Sequence, residues 1–223
     1  MAGRRKPAGD GAARRAIVSA ARSMAGFGLT QGTSGNISVR WGEGLLITPS
    51  GVPYDDTGPE DIVLLDQDGG TDHALKPSSE WRFHRDILAA RPEVGAVVHC
   101  HPIHATAFAI CGREIPAVHY MIAAAGGPTV RCAPYATYGT EELSRNALAA
   151  LEGRSCCLLA NHGTIATGPT LDRAMWLAVE LETLCRQYAV ALQVGDPHIL
   201  PDDEIARVVE LFKGYGPKPR EVS

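Results

Sequence analysis

The sequence has 223 residues and a net charge of −4, and 45% of its residues are hydrophobic and 21% charged. This composition is typical of a globular domain with a sizeable core, and the charge offers no basic surface for nucleic acid or an anionic membrane. No apolar run approaches the roughly 18 residues of a membrane span. The six cysteines form no C-x-x-C pair, which predicts reduced thiols in a cytoplasmic protein.

The N-terminal part of the chain predicts a tail, a helix and a pair of strands. Residues 1–11 are small, polar and basic, so we expect a disordered tail ahead of a single domain over residues 12–223. Apolar side chains then recur at helical spacing as far as residue 26. Two short β-rich runs, 36–40 and 45–48, flank a G-E-G that is typical of a hairpin turn.

The rest of the chain alternates between strands and helices. Ser78 or Ser79 is expected to cap a helix that runs to residue 90, and Pro102 fits the first turn of a helix that runs to residue 110. Residues 112–138 are rich in Gly and Pro and are expected to be irregular. The predicted strands are 62–66, 96–101, 156–160 and 164–167, and the remaining predicted helices are 139–151, 172–193 and 202–213.

Interleaved strands and helices predict an α/β fold in which helices cover a sheet. Short hairpins are mixed with longer crossover connections, which favours a mixed, largely antiparallel sheet over a regular parallel array. The sequence contains no internal repeat, low-complexity segment or linker that divides the chain. It therefore indicates one domain built on one sheet.

Residues 98–104 read V-H-C-H-P-I-H, which places three of the eight histidines at the end of a predicted core strand. Because alternate side chains of a strand share a face, His99 and His101 project together while Cys100 points into the core. Two imidazoles at this spacing can bind one small cation, for which zinc is suited. An isolated H-x-H is more often a solvated strand end, and His104 is expected to cap or pack.

A metal site requires a third ligand, and His162 is the candidate. It lies in N-H-G, at the point where one predicted strand breaks into another, and the adjacent Gly163 allows close approach of the backbone. Taken alone, this motif is more often structural. Three histidines around one ion leave a coordination position open, which is typical of a catalytic site.

Three segments in the first 80 residues carry hydroxyl and glycine chemistry that suits an anion. Glu80 follows Ser78 and Ser79 at a predicted helix start, where free N–H groups attract negative charge. The segments T-S-G-N (33–36) and T-P-S-G (48–51) offer hydroxyls and backbone nests that bind phosphate without a basic cluster. The plainer interpretation of Glu80 is a favourable acidic residue in the first turn of a helix.

Seven blocks occur in order along the chain: G-L-T-Q-G-T-S-G-N-I-S-V-R, L-I-T-P-S-G-V-P-Y, P-S-S-E-W-R-F-H, A-V-V-H-C-H, I-P-A-V-H-Y-M-I-A-A-A-G-G, A-P-Y-A-T-Y-G-T and N-H-G. Together they resemble the class II aldolase and adducin family, and within it most closely the bacterial aldolases that act on L-fuculose 1-phosphate. No single block is specific, but their order over residues 16–215 is.

This resemblance implies roles for particular residues. His99, His101 and His162 are expected to bind one zinc ion per subunit, with Glu80 as the catalytic acid and base beside the metal. The phosphate group of the substrate is expected to contact five residues, namely Asn36, Ser50, Gly51, Ser78 and Ser79. Ser50 departs slightly from the family pattern, which often has Thr there, but it keeps the hydroxyl.

The resemblance also implies how subunits share the site. The family fold is a three-layer α/β/α sandwich, and its members form homotetramers with active sites at subunit interfaces. Tyr120 is expected near the aldehyde end of the substrate, and Tyr215 is expected to reach the site of a neighbouring subunit. Tyr138 stands where the family can have Phe, which implies a slightly more polar pocket around the aldehyde.

The activity implied is reversible cleavage of L-fuculose 1-phosphate, or a close ketose 1-phosphate, to dihydroxyacetone phosphate and L-lactaldehyde through a metal-stabilised enediolate. The alternatives within the family are an aldolase for a 5-deoxypentulose phosphate, a sugar-phosphate decarboxylase or dehydratase, and a 4-epimerase. The 4-epimerase is disfavoured because no histidine follows His198. A non-catalytic, adducin-like interaction domain is disfavoured because the three histidines and Glu80 are all kept.

Overall fold

A computed structural model describes residues 9–213 of the chain. The seven strands in this range are β1 (Asn36–Trp41), β2 (Gly44–Ile47), β3 (Val63–Leu65), β4 (Ala96–Cys100), β5 (Cys132–Ala133), β6 (Cys156–Leu159) and β7 (Gly163–Gly168). They form one sheet in the order β3-β2-β1-β4-β7-β6-β5. Each neighbouring pair is antiparallel apart from β5 and β6, which are parallel. The predicted mixed, largely antiparallel sheet is confirmed.

Six α-helices cover the two faces of this sheet. They are α1 (Gly11–Gly26), α2 (Trp81–Ala90), α3 (Ile103–Ile110), α4 (Glu141–Ala150), α5 (Leu171–Val194) and α6 (Asp202–Phe212). Buried side chains of α1, α3, α5 and α6 belong to one core cluster, and those of α2 and α4 belong to another. We call the two sides the four-helix face and the two-helix face. The arrangement is the predicted three-layer α/β/α sandwich.

Strand alternation divides the apolar side chains between these cores. In β4, Val98 and Cys100 pack on the four-helix face, while Val97 packs on the two-helix face. In β6, Leu158 and Leu159 divide in the same way. Because successive side chains of a strand point to opposite faces, a strand buried on both sides is apolar nearly throughout. The expected packing of Cys100 in a core is confirmed.

The predicted hairpin joins β1 to β2, with Trp41 paired to Gly44 across a two-residue turn. Gly42 in that turn has a φ of +59°, a conformation that glycine adopts without strain. The turn brings the T-P-S-G segment beyond β2 back beside the start of β1. Hairpin geometry thus positions two of the three anion-type segments at one edge of the molecule.

Two local predictions need correction. Helix α2 begins at Trp81 with Glu80 in the cap position, so neither Ser78 nor Ser79 caps it; the Ser78 hydroxyl instead accepts a hydrogen bond from the Glu80 N–H. The segment 112–138, expected to be irregular, contains a 3₁₀ helix over Tyr120–Ala125 and the two-residue strand β5. Elements this short carry no readable periodicity.

The remaining predictions concern the start of the first helix, the N-terminal tail, the domain division and membrane-spanning helices. Helix α1 begins at Gly11, one residue before the predicted start. The disordered tail and the single-domain division stay predictions, and residues 1–8 of that tail lie outside the described part of the chain. Within residues 9–213, no helix combines the length and apolar character needed to cross a membrane.

Candidate active site

Three histidines meet at one end of the central strands. His99 is the penultimate residue of β4 and pairs with Ile165 of β7, and His101 follows directly after β4. His162 lies in the short turn between β6 and β7. Since β4 and β7 are neighbours in the sheet, the turn before β7 lies beside the end of β4. The two sequence motifs, 60 residues apart, are therefore brought together by one antiparallel strand pair.

The four side chains of the predicted metal site form one cluster. The ligand atoms of Glu80, His99, His101 and His162 all lie within 4.8 Å of one another. The Nε2 atoms of His99 and His101 are 2.9 Å apart. Glu80 Oε2 lies 3.0 Å from His99 Nε2, and Glu80 Oε1 lies 3.2 Å from His162 Nε2. The separations resemble those around a single small cation.

A hydrogen bond on the side of the ring that faces away from the cluster fixes the orientation of His99. Its Nδ1 lies 2.9 Å from the Thr164 carbonyl oxygen, which can only accept a hydrogen bond, so Nδ1 donates. In the neutral ring, Nε2 then carries a lone pair that points into the cluster. Phe83 packs edge-on against the same ring at 5.3 Å between centroids. A backbone carbonyl behind a histidine is a common way to orient a metal ligand.

These donors fit a zinc ion. Zinc–nitrogen bonds of about 2.0–2.1 Å in a tetrahedron place neighbouring ligand atoms roughly 3.4 Å apart, close to the separations in the cluster. The Nε2 lone pair of His99 faces both His101 Nε2 and the Glu80 carboxylate, and groups that only accept repel each other unless a cation or a proton lies between them. Glu80 Oε1 is also buried, and its contact with His162 Nε2 at 3.2 Å lacks the geometry of a hydrogen bond. The cluster could therefore hold a divalent metal.

The charge states of the cluster agree with this. Burial, with His99 and His162 nearby, lowers the pKa of His101 to about 4, so its ring is neutral at neutral pH. Burial alone would raise the pKa of the Glu80 carboxyl, but the adjacent His99 and His162 outweigh it and hold that pKa below its usual range. The cluster thus places the neutral His101 ring beside an ionised carboxylate.

Glycine and an unusual backbone angle make room for the cluster. A Cβ atom on Gly163 would lie 2.5 Å from both the Cys100 carbonyl oxygen and His101 Cδ2, so only glycine fits beside these residues. This confirms that the glycine of N-H-G allows close backbone approach. Asn161 has a φ of +55°, and residues 9–213 contain no other non-glycine residue with positive φ. Local strain of this kind often marks functional sites.

A cavity of about 360 Å³ opens in front of the cluster. The five residues predicted to contact phosphate all line it, namely Asn36, Ser50, Gly51, Ser78 and Ser79. Glu80, His101 and His162 line the same cavity. No lysine or arginine of residues 9–213 lines the cavity. An anion there would be held by hydroxyl and N–H groups, which is what the sequence predicted.

Backbone hydrogen bonds connect the three loops around this cavity. The Ser78 N–H donates to the Thr48 carbonyl at 3.0 Å, and the Ser50 N–H donates to the Lys76 carbonyl at 3.0 Å. The Tyr54 hydroxyl donates to the Gly35 carbonyl at 2.6 Å. Each loop is thereby positioned by another loop, which gives the cavity a preformed shape.

Other sequence-predicted residues lie elsewhere. Tyr120 is 50% exposed on its 3₁₀ helix and does not line the cavity, and Tyr215 lies outside the described residues. Tyr138 lines the cavity. His104 Nδ1 contacts Glu182 Oε1 at 2.6 Å, while the backbone N–H groups at the start of α3 bind the same carboxylate. This confirms the packing role expected for His104.

Sequence reasoning missed two features of the site. Tyr135 also lines the cavity, although only Tyr138 of the A-P-Y-A-T-Y-G-T block was singled out. His84 is fully buried behind Asn36, with its Nε2 bonded to Asn36 Oδ1. Its position four residues after Glu80, on the same side of α2, was a signal available from the sequence.

Sugar-phosphate aldolases are among the known proteins that are similar to this chain in sequence and structure. The chain is 58% identical over 205 residues to the 5-methylthioribulose-1-phosphate/5-deoxyribulose-1-phosphate aldolase of Rhodospirillum rubrum. The alignment covers 92% of this chain and 93% of that protein. It is 49% identical over 203 residues to the L-fuculose phosphate aldolase of Escherichia coli K12. That alignment covers 91% of this chain and 94% of that protein. A solved structure of L-fuculose 1-phosphate aldolase matches with a TM-score of 0.87 at 39% identity, over 90% of this chain and 95% of that one.

A family model agrees with these relatives. The model described as Class II Aldolase and Adducin N-terminal domain matches residues 15–189, which include the histidine cluster, Glu80 and the loops around the cavity. The match extends over more than half of the chain, and the relatives above are far more than 30% identical over nearly all of it. The chain belongs to the class II aldolase and adducin family.

Proposed function

We propose that this protein is a zinc-dependent aldolase that reversibly cleaves a ketose 1-phosphate to dihydroxyacetone phosphate and a short aldehyde. One observation carries the proposal: the carboxylate of Glu80 and the Nε2 atoms of three histidines converge at the cavity that the hydroxyl-bearing loops surround. Family membership and two aldolase relatives, 58% and 49% identical, support it.

His99, His101 and His162 are the residues that would hold the zinc ion. When bound, the ion would polarise the carbonyl oxygen of the ketose and stabilise the negative charge that develops when the carbon–carbon bond breaks. The lysine nearest the motifs, Lys76, is exposed on a loop and does not line the cavity, which disfavours an imine mechanism.

Glu80 moves the proton at carbon 3. In cleavage, the bond between carbons 3 and 4 breaks, the hydroxyl on carbon 4 loses its proton to become the aldehyde, and carbon 3 gains a proton. In synthesis, the Glu80 carboxylate removes a proton from carbon 3 and passes it to water; in cleavage, the carboxyl takes up a proton from water and gives it to carbon 3. Its burial against the histidines holds the carboxylate at a fixed position for this transfer.

The loops around the cavity hold the phosphate group. The side chains of Asn36, Ser50, Ser78 and Ser79 and the backbone at Gly51 supply donors without a formal positive charge. Binding the phosphate fixes the distance from it to carbon 3, and so orients the ketose toward Glu80. Backbone donors at turns bind phosphate in this way in many proteins.

The proton of the carbon 4 hydroxyl requires a second group. Tyr120 and Tyr215 remain the candidates, and the exposure of Tyr120 outside the cavity of its own chain is compatible with service in a neighbouring subunit. We therefore retain a homotetramer with shared active sites as part of the proposal. A cytoplasmic location also stays part of the proposal, because the six cysteines form no C-x-x-C pair or regular spacing.

Two substrates fit this reaction. L-Fuculose 1-phosphate would give L-lactaldehyde, the product expected from the sequence. The second candidate is a 5-deoxypentulose 1-phosphate, and the observation that favours it is the 58% identity to an aldolase of 5-methylthioribulose 1-phosphate and 5-deoxyribulose 1-phosphate. These would give methylthioacetaldehyde and acetaldehyde. All three ketoses have a phosphate at one end and an apolar group at the other.

Product analysis from a panel of ketose 1-phosphates and pentulose 5-phosphates, with and without a chelator, tests the proposal. We expect release of dihydroxyacetone phosphate from at least one ketose 1-phosphate, loss of release with the chelator and recovery with added zinc. Carbon dioxide, an epimer or a dehydrated product would identify a different family reaction. Metal binding with no turnover of any substrate would favour the adducin-like interaction domain.

A further inference from the structure

Three buried polar side chains form a chain of hydrogen bonds behind Glu80. Ser38 and His84 are fully buried, and Asn36 is only 4% exposed. Ser38 Oγ lies 2.7 Å from His84 Nδ1, His84 Nε2 contacts Asn36 Oδ1, and Asn36 Nδ2 donates to Glu80 Oε2 at 3.1 Å. The chain runs from the interior of the two-helix face to the carboxylate proposed to move the proton.

The sheet and helix α2 bring these residues together. Asn36 and Ser38 are alternate residues of β1 and project to the same face, and Asn36 pairs directly with His99 of β4. Glu80 and His84 are four residues apart at the start of α2, so they lie on the same side of the helix. The contacts of His84 with β1 join residues 46 and 48 positions apart in the sequence.

The donor and acceptor of each hydrogen bond can be assigned in turn, starting from the Glu80 end of the chain. The Asn36 amide donates from its NH₂ group to Glu80 Oε2 and turns its carbonyl oxygen, which can only accept, toward His84 Nε2. His84 Nε2 must therefore carry a hydrogen. Burial lowers the pKa of His84 to about 3, so the ring is neutral, its Nδ1 accepts, and the Ser38 hydroxyl donates. One arrangement of hydrogens satisfies every group.

We infer that His84 is a positioning residue that locks the Asn36 amide, and through it sets the position of the Glu80 carboxylate. The inference rests on the proposed function for its catalytic consequence. Without the Nε2–H of His84, the Asn36 amide could rotate and turn its carbonyl oxygen toward Glu80. Two acceptors would then face each other, and the carboxylate would move away from the place where it exchanges a proton with the substrate.

The position of His84 in the core sharpens the inference. Its neighbours Phe83 and Ile87 on α2 pack in the apolar cluster of the two-helix face. A buried imidazole there costs stability unless both nitrogens are bonded, and a leucine of similar size would pack without that requirement. A polar residue at this place is explained if its hydrogen bonds orient the site. A purely structural role of His84 is tested separately.

The kinetics of two His84 variants distinguish a positioning role from a purely structural role. Ile87→Ala, on the next turn of α2, is the matched control. In His84→Leu, which cannot donate, we expect kcat to fall about 10- to 100-fold while one metal ion per chain is retained. In His84→Gln, whose amide can donate to Asn36 and accept from Ser38, we expect kcat within about threefold of wild type. Ile87→Ala should lower Tm and leave kcat at 25 °C unchanged.

Two kinetic results would overturn the inference. One is a kcat in His84→Leu within about threefold of wild type, and the other is an equal loss in His84→Gln and His84→Leu. A lower Tm with unchanged kcat in both variants would show that His84 only packs.

A measurement on the wild-type protein needs neither a folded variant nor a substrate. Nitrogen NMR of histidine-labelled protein at pH 7 should show His84 as the neutral tautomer with hydrogen on Nε2. An imidazolium, or hydrogen on Nδ1, would overturn the inference. If no ketose phosphate is cleaved, the proposed function fails, while this spectrum still decides the hydrogen-bond assignment.

Discussion

The two faces of the sheet bury different chemistry. On the four-helix face, the buried residues of β1 and β4 are apolar or sulfur-bearing: Ile37, Val98 and Cys100. On the two-helix face, the same strands bury the apolar Val97 but also the polar side chains of Asn36, Ser38 and His99, beside Glu80 and His84. Residues adjacent in sequence therefore serve different purposes. The alternation of a strand lets one sheet pack apolar side chains on both faces and add a polar site to one of them.

This difference also concerns energy. Apolar burial stabilises a fold in proportion to the area removed from water, whereas a buried polar group costs free energy unless it is paired. The polar groups of the two-helix face are paired mainly with one another, in a line that ends at the cavity. Substitutions in this polar line should mainly change activity, and substitutions of apolar core side chains on either face should mainly change stability.

The largest effect is expected at Glu80. Glu80→Gln keeps the shape of the side chain but cannot exchange a proton, so kcat should fall about 10²- to 10⁴-fold while zinc stays bound. Steady-state kinetics together with metal analysis of the same sample measure both quantities. Glu93→Gln, an exposed carboxylate near the end of α2, is the matched control and should behave as wild type. Wild-type turnover in Glu80→Gln would remove Glu80 from the mechanism.

The next effect concerns metal affinity. In His162→Ala, loss of one of three nitrogen ligands should weaken zinc binding at least about 100-fold, since even partners behind the ligands typically contribute 10- to 100-fold. Competition with a chromogenic chelator measures this. His104→Ala provides the control, because His104 pairs with Glu182 outside the cluster. Unchanged affinity in His162→Ala would show that the third ligand is wrong.

A smaller effect, on stability alone, is expected one residue from Asn36. Ile37→Val shortens a fully buried side chain of the four-helix face and should cost about 0.5–1.5 kcal/mol of unfolding free energy. The value of kcat at 25 °C should not change. Denaturant unfolding and kinetics measure the pair of effects, with the exposed Ile199→Val as control. A clear loss of kcat without a loss of stability would contradict the division between the polar line and the apolar cores.

The smallest effect is expected at the rim of the cavity. Tyr138 is 65% exposed there, so Tyr138→Phe removes one hydroxyl without altering the floor of the site. The ratio of kcat/KM for 5-deoxyribulose 1-phosphate to that for L-fuculose 1-phosphate should rise by no more than about threefold, because the pocket becomes less polar. An unchanged ratio would show that the tyrosine hydroxyl does not contact this part of the substrate, and a fall in the ratio would contradict the expected effect of polarity.

Much of the site could be predicted because its signals are local. The alternation in V-H-C-H places His99 and His101 on one face whatever the fold, and the glycine of N-H-G marks a close approach that the structure confirms at Gly163. The long helices were found for the same reason, since α5 repeats its apolar spacing over 24 residues.

What the sequence concealed depends on distant contacts. Ser78 and Ser79 have the composition of helix caps, but hydrogen bonds and a bridge to the Thr48–Ser50 loop hold them outside α2. His84 could be placed on the side of Glu80, yet its role requires knowing that β1 lies opposite. A contact between α2 and β1 across 48 positions in the sequence cannot be read from local spacing.

The most direct test of the central claim is diffraction from crystals of zinc-loaded wild-type protein at the zinc absorption edge. We predict one anomalous peak per chain, bonded to the Nε2 atoms of His99, His101 and His162. A peak elsewhere, or none at these three nitrogens in protein that contains stoichiometric zinc, would contradict the account.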